Sequence, residues 1–400
     1  MTLPWLSVVG LGEDGLNGLA PAARALAEDA EILIGGERHL ALLPELPNQT
    51  RMTWTRPLLD LVERITDYRG RRVCVLATGD PMWFGIGVTL AKRVPVAEMR
   101  IFPHVSAFSL AAARMGWAVD ACDCLTLHGR PLDLLGLYLQ PNAKLLILSD
   151  NGQTPAQVAA LLTKRGFGSA TITVLEHMGG VTERRHDGVA KSWSVAACAD
   201  FNTLAVQLHD GPGLSRLAGL DDDLFLHDGN ITKREIRAVT LSRLAPFAGD
   251  LLWDVGAGSG SIGIEWLRAD RRNRAIAIEV RDGRRGMIAQ NALALGVPHL
   301  EIVSGSVPAA LDGLPAPDAI FIGGGIMAEG LVARCWDALK PGGRLVANVV
   351  TLEGEAKVVQ ARQSYGGDLG RFAVYRAEPV GRFHGWHAMM PVTQWSVTKE

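Results

Sequence analysis

Two glycine-rich groupings hold the residues best suited to chemistry in this chain. The first is Val8-Val9-Gly10-Leu11-Gly12, answered further on by Thr78-Gly79-Asp80-Pro81-Met82-Trp83-Phe84-Gly85. The second is Leu251-Leu252-Trp253-Asp254-Val255-Gly256-Ala257-Gly258-Ser259-Gly260. Glycine lets a chain turn tightly and brings bare backbone up to a ligand that a Cβ would exclude. The second run follows a predicted strand and opens a predicted helix, the place where an open α/β sheet takes a nucleotide. Its G-x-G-x-G spacing, with Asp254 in front, differs from the G-x-G-x-x-G of nicotinamide dehydrogenases. Glu279 ends the next predicted strand, about twenty residues on, where an acidic side chain meets ribose hydroxyls.

The elements that must carry these loops follow from apolar periodicity. In the first half, strands at 7–10, 31–34 and 73–77 alternate with helices at 21–30 and 88–93, which argues for a parallel α/β sheet. The texture changes near 101–104. Helices at 106–115 and 155–165 then alternate with strands at 124–127, 145–148, 171–175 and 203–207, a second lobe. The polar, breaker-rich stretch 211–225 reads as a linker between a domain at 1–210 and another at 226–400. In the second domain Thr232 reads as a helix N-cap with Glu235 as its capping-box partner. Strands at 250–255, 274–278, 300–303, 319–322 and 343–349, with helices at 261–268 and 284–295, give a doubly wound pattern, completed by strands at 372–376 and 393–398.

Composition narrows the class. The chain has 400 residues, 48% hydrophobic and 20% charged, which suits two or three packed domains. A formal charge of -2 carries no basic excess, so no nucleic-acid partner is expected. No apolar run reaches the length of a membrane span, and no secretory leader is expected from the opening residues. The five cysteines are scattered, and Cys122 and Cys124 lack a second pair at zinc spacing, so no metal is expected and the thiols read as reduced and cytoplasmic.

Asp254 to Gly260, Glu279, Asp318 ahead of its strand, and Lys340-Pro341-Gly342-Gly343 together resemble the class I methyltransferases. That resemblance implies S-adenosylmethionine held by Thr232, Asp254, Gly256, Gly258, Gly260, Glu279 and Gly323. The run Phe321-Ile322-Gly323-Gly324-Gly325 lacks the Asn/Asp-Pro-Pro-aromatic motif of amino-group methylases acting on adenine or glutamine. In the first half, Gly79-Asp80-Pro81 with Pro103-His104-Val105-Ser106-Ala107-Phe108-Ser109 resembles the tetrapyrrole methylase family. The resemblance implies a second donor site on Gly10, Gly12, Gly79, Asp80, Pro81, Ser106 and Ala107. Ala107 stands where that family usually has a second Ser or Thr, a departure expected to weaken donor binding if that hydroxyl matters. Leu127-His128-Gly129-Arg130-Pro131 resembles the branch acting late on the corrin ring, and the Thr-Lys-x-Glu-Ile-Arg run at 232–237 resembles the domain that methylates C15.

Together the halves resemble the fused precorrin-6B C5,15-methyltransferase (decarboxylating) family of cobalamin biosynthesis, over nearly the whole chain. The resemblance implies methylation of C5 by the first domain and of C15 by the second. It also implies loss of the ring C acetate as carbon dioxide, giving precorrin-8X, and a homo-oligomer. A polycarboxylate substrate calls for Arg and Lys, since Arg pairs with carboxylates in a bidentate way. Lys233 and Arg237, on one helical face by their i,i+4 spacing, lead Arg234, Arg130 and Arg382 as candidates. His384, with His227 and His387, could move protons near neutral pH. Trp386 is the stacking candidate, whereas Trp253 and Trp266 read as core. Two rivals remain open: one domain that only binds or channels substrate, or a noncatalytic first domain fused to an RNA or protein methylase.

Overall fold

Continuous apolar runs in the first third of the chain become strands shielded on both faces, the mark of a parallel sheet covered by helices. The computed structural model describes residues 4–55 and 58–400, and it divides into two compact units. One comprises residues up to Leu132 with Gln140–Pro212; the other comprises Asp133–Leu139 with Gly213–Glu400.

The first unit holds two sheets. Strands β1 (Leu6–Leu11), β2 (Ile32–Gly35), β3 (Thr50–Thr53), β4 (Val73–Thr78) and β5 (Met99–Phe102) form a parallel sheet in the order β3-β2-β4-β1-β5. Every residue of β1 is buried. The expected texture change near 101–104 coincides with the end of β5, which the sequence reading had not assigned as a strand. The second sheet runs β6-β7-β10-β8-β9, from β6 (Asp123–Thr126), β7 (Lys144–Leu148), β8 (Thr171–Glu176), β9 (Arg184–Val189) and β10 (Asn202–Gln207). Only β6 and β7 pair parallel there. Strand β9 is an edge strand of sequence Arg-Arg-His-Asp-Gly-Val, so it lacks the apolar alternation that marks a buried strand. Helix Ala107–Met115 starts from Ser106, whose hydroxyl accepts the Ser109 N–H at 3.1 Å, and stops at Gly116 in the left-handed region. The expected helix at 88–93 lies instead at Ile86–Leu90.

The second unit is a seven-stranded sheet in the order β13-β12-β11-β14-β15-β19-β16. Its members are β11 (Leu251–Val255), β12 (Arg274–Glu279), β13 (Glu301–Ser304), β14 (Ala319–Ile322), β15 (Arg344–Val349), β16 (Asp368–Phe372) and β19 (Val392–Thr398). The strands from β13 to β15 are parallel, and β19 and β16 close the edge antiparallel. Trp253, Trp266 and Trp395 are buried in its two core layers; the Trp266 and Trp395 indoles donate to the Arg274 and Gly366 carbonyls. Between β16 and β19 the chain leaves the sheet as a separate hairpin, β17 (Tyr375–Val380) and β18 (Phe383–Ala388). The expected strand at 372–376 therefore straddles the end of one strand and the start of another. Among the described residues no helix is long and apolar enough to cross a membrane.

The helix after the 227–233 segment begins at Arg234, with Lys233 in the N-cap position and no side-chain cap bond. Thr232 is thus not the cap. Glu235 does not turn back to close a capping box, because its carboxylate accepts from Arg376 at 2.8 Å.

Candidate functional site

The second glycine run sits at the carboxyl end of β11, where it borders a cavity of about 930 Å³. Gly256 has φ +70°, and a Cβ there would lie 2.7 Å from the backbone of Gly324, so the loops after β11 and β14 meet backbone to backbone. Gly323 is closed to side chains as well, since its Cβ would meet the Phe321 ring at 2.6 Å. Glu279 ends β12, accepting the Gly258 N–H and the Arg281 N–H at 2.9 Å each. Those bonds fix its carboxylate at the rim of the loop. The Ser259 hydroxyl is buried with no partner among the described residues, and its residue lines the cavity, a polar group that a bound ligand can satisfy.

Asp254 and Gly260 play a different part from the one expected. Neither lines the cavity. Asp254 is fully buried and accepts the Gly263 N–H at 2.9 Å, which ties the following helix to the loop. Burial pushes its carboxyl up to about 7, the Gly263 bond lowers it, and the Glu279 charge adds to the rise. Gly260, at φ +77°, packs against Ile288. Both shape the loop from behind.

Thr232, Gly256, Gly258, Glu279 and Gly323 all line the cavity, and so does Lys233. Arg237 does not. Its guanidinium is fully buried, paired with Glu265 at 2.5 Å and Asp222 at 3.0 Å, and it donates to the Thr232 and Leu220 carbonyls. One helical turn beyond Lys233, it faces the core, so its reading as a carboxylate receptor gives way to a structural one. Arg234 is paired with Asp221. His384 and Trp386 lie exposed on β18, Arg382 lies exposed in the turn before it, and none of the three lines the cavity. The sequence reading missed Arg281 and Arg284, which line the cavity beside the glycine loop, and the wall formed by Met327, Val350, Met389 and Met390. Asn348, also in the lining, is held by the buried Thr240 and Gln394 side chains at 2.9 Å each.

The first unit brings its own motif residues together between its two sheets. Gly10 lies where a Cβ would collide with the Gly79 carbonyl at 1.9 Å, so the ends of β1 and β4 close on each other. Gly79, at φ +56°, accepts the His104 N–H at 3.1 Å. A small cleft of about 30 Å³ is lined by Gly12, Glu13, Thr78, Gly79, Val105 and Ala107 from one side, and by Leu175, His177, Met178 and Phe201 from the other. Asp80 turns back on its own loop, accepting the Met82 N–H at 2.8 Å, and Pro81 is buried. Ser106 caps its helix; neither it, Asp80, Pro81 nor Gly10 lines the cleft. Arg130 lies 5.4 Å from the Phe84 ring centre.

A polar cluster surrounds that cleft which no sequence motif announced. Glu13 pairs with Arg38 through one oxygen and with His177 Nδ1 at 2.9 Å through the other. Arg38 also donates to Thr78 Oγ1 at 3.0 Å and to His39 Nε2 at 3.0 Å, and its guanidinium lies 3.9 Å from the Phe201 ring centre. An arginine has no acceptor, so His39 Nε2 accepts and the ring's proton is on Nδ1. Burial and then the Arg38 charge push His39 down to about 4, which keeps it neutral.

Comparison with known proteins finds two family matches along the chain. Residues 6–192 match the family model described as Tetrapyrrole (Corrin/Porphyrin) Methylases, and residues 223–399 match the Precorrin methyltransferase domain. A precorrin-6Y C(5,15)-methyltransferase [decarboxylating] of Sinorhizobium sp is 48% identical over 99% of this chain and 97% of its own length. Two shorter relatives match part of the chain. A cobalt-precorrin-7 C(5)-methyltransferase of Salmonella typhimurium is 31% identical over 45% of this chain and 89% of its own. A probable cobalt-precorrin-6B C(15)-methyltransferase (decarboxylating) of Saccharolobus solfataricus is 33% identical over 38% of this chain and 78% of its own. The chain belongs to the precorrin-6Y C(5,15)-methyltransferase (decarboxylating) family.

Proposed function

We propose that this chain carries out two S-adenosylmethionine-dependent C-methylations on one precorrin-6 tetrapyrrole (precorrin-6Y in the relatives' names, precorrin-6B in the expectation above). The first unit methylates C5. The second methylates C15 and releases the ring C acetate as carbon dioxide, giving precorrin-8X. The observation that carries this reading is the presence of two glycine-walled clefts of unrelated construction, one lined within each unit. Relatives that bear one activity each and match only part of the chain support the same division.

Bound donor supplies an electrophilic methyl on a sulfonium sulfur. The chain's own residues align a nucleophilic carbon with it, and positioning of that kind accounts for most of the rate gain in such a displacement. In the second unit Glu279 is set to accept ribose hydroxyls, and the Ser259 hydroxyl to meet a polar group of the donor. The Met327, Val350 and Met390 wall offers an apolar seat for the flat ring, while Lys233 and Arg281 meet its carboxylates. We also infer a cytoplasmic homo-oligomer. Free cysteines suit a reducing compartment, and the hairpin β17–β18 presents Tyr375, Val380, Phe383 and Trp386 largely exposed.

The test is mass spectrometry of the tetrapyrrole after reaction with purified chain and S-adenosylmethionine. The expected product gains two methyl groups and loses one carbon dioxide. Ala107→Trp, which fills the first cleft, leaves one methyl gained with carbon dioxide lost. Gly258→Arg, which fills the second, leaves one methyl gained and no carbon dioxide lost. Two methyl groups gained by either variant would overturn the assignment.

A further inference from the structure

The first methylation makes a demand that positioning does not meet. When a meso carbon of an enamine attacks the donor, its π pair forms the new C–CH₃ bond. The S–CH₃ bond breaks with its pair going to sulfur, and the ring nitrogen's lone pair closes a C=N–H⁺ iminium. The sulfonium charge has moved to the tetrapyrrole, and the N–H proton must leave before the neutral product forms. A group able to take it belongs in the first cleft.

His177 has the attributes of that group. It lines the cleft with Gly12, Gly79 and Ala107. Its Nδ1 lies 2.9 Å from Glu13 Oε2, a carboxylate oxygen that accepts, so in the neutral ring this bond places the proton on Nδ1 and leaves the lone pair on Nε2. Glu13 is itself held by Arg38, which is fixed in turn by Thr78, His39 and the Phe201 ring. The arrangement is a base oriented by a carboxylate that is oriented by a cation. The backbone adds an independent observation. His177 has φ +48°, one of four described non-glycine residues on the positive side. A side chain with a Cβ is strained there, and such conformations gather at working sites.

We propose that His177 accepts the pyrrolic proton released on C5 methylation, with Glu13 and Arg38 as its positioning residues. Nε2 takes the N–H proton, the imidazolium is stabilised by Glu13, and the proton then passes to water. The assignment rests on the reading that the first cleft serves C5.

His177→Asn tests it, because Asn tolerates the left-handed backbone while removing the base. Single-turnover C5 methylation by the full chain should slow about 100-fold or more, the usual contribution of general base catalysis. The carbon dioxide-releasing methylation at the second site should be unchanged, as should calorimetric binding of S-adenosylmethionine at the first. His177→Gly should slow equally and recover about tenfold with added imidazole, a rescue that a structural role would not give. Glu13→Gln in the His177→Asn background should cost little further, since the pair acts as a unit. C5 methylation by His177→Asn within about threefold of the parent overturns the proposal, as does loss without imidazole rescue. If Ala107→Trp leaves C5 methylation intact, the cleft assignment has failed instead.

Discussion

Replacing Arg237 by methionine separates a structural arginine from a substrate-binding one. The side chain is fully buried and donates to Glu265, Asp222 and the carbonyls of Leu220 and Thr232, with the Phe225 ring centre 4.8 Å from its guanidinium carbon. Glu265 is 2% exposed and also accepts the Gly219 and Leu220 N–H groups at 2.7 and 3.0 Å. Removing the cation leaves that carboxylate buried and uncompensated, a change that costs about 3–5 kcal/mol. For a unit of this size each kcal/mol moves the melting point by about 2–4 °C, so calorimetry of the full chain should record a drop of roughly 6–20 °C in the transition of the second unit. The double variant Arg237→Met with Glu265→Gln should regain part of the loss, because the stranded charge is gone. The KM for tetrapyrrole, measured below the lowered transition, should stay near that of the parent. A melting point within about 2 °C of the parent together with a raised KM would show that Arg237 binds substrate, and the structural argument would fall.

Asp254 should make stability fall with pH. Burial holds its carboxyl at about 7, well above 3.8, so the native chain binds this proton more tightly than the unfolded one. The contribution is fully present below about pH 4, is lost as the pH rises through about 7, and is level above that. Asp254→Asn should flatten this slope in urea denaturation, by at most about 4 kcal/mol; parallel profiles for the two chains would refute it. The hairpin β17–β18 makes a separate claim. Phe383→Asp with Trp386→Asp should reduce the mass measured by light scattering without lowering the melting point, and an unchanged mass would remove the hairpin from any interface.

Much of the fold was legible because buried parallel strands are written as apolar runs, as in Leu251–Trp253 and Ala275–Ile278. The glycine loops were legible for the same reason: only backbone fits there, and the residue type records it. What escaped were elements whose residues face water. Strand β9 and the hairpin β17–β18 carry charged and aromatic residues with no apolar stripe, so periodicity had nothing to detect. Arg237 was misplaced because i,i+4 spacing fixes a shared face only when both residues lie inside the helix, and Lys233 stands at its N-cap position. Glu13 and His177 lie on two loops and Arg38 on the short helix Glu37–Ala41, well separated in sequence, and only the chain's path brings them together. The one local signal was Glu13 itself, directly after the first glycine pair.

The meeting of Gly256 and Gly324 has a consequence for how this protein tolerates change. In an ordinary core most substitutions remove atoms, and neighbours relax partway into the gap. At Gly256, where a Cβ would lie 2.7 Å from the Gly324 backbone, every replacement adds atoms and none can subtract them. Inheritance at this codon is therefore one-sided, with no smaller residue to drift to and no graded series of tolerated neighbours. The wall of the second cleft is kept by purging, and a random library should return it almost invariant while the Met327 and Met390 side diversifies.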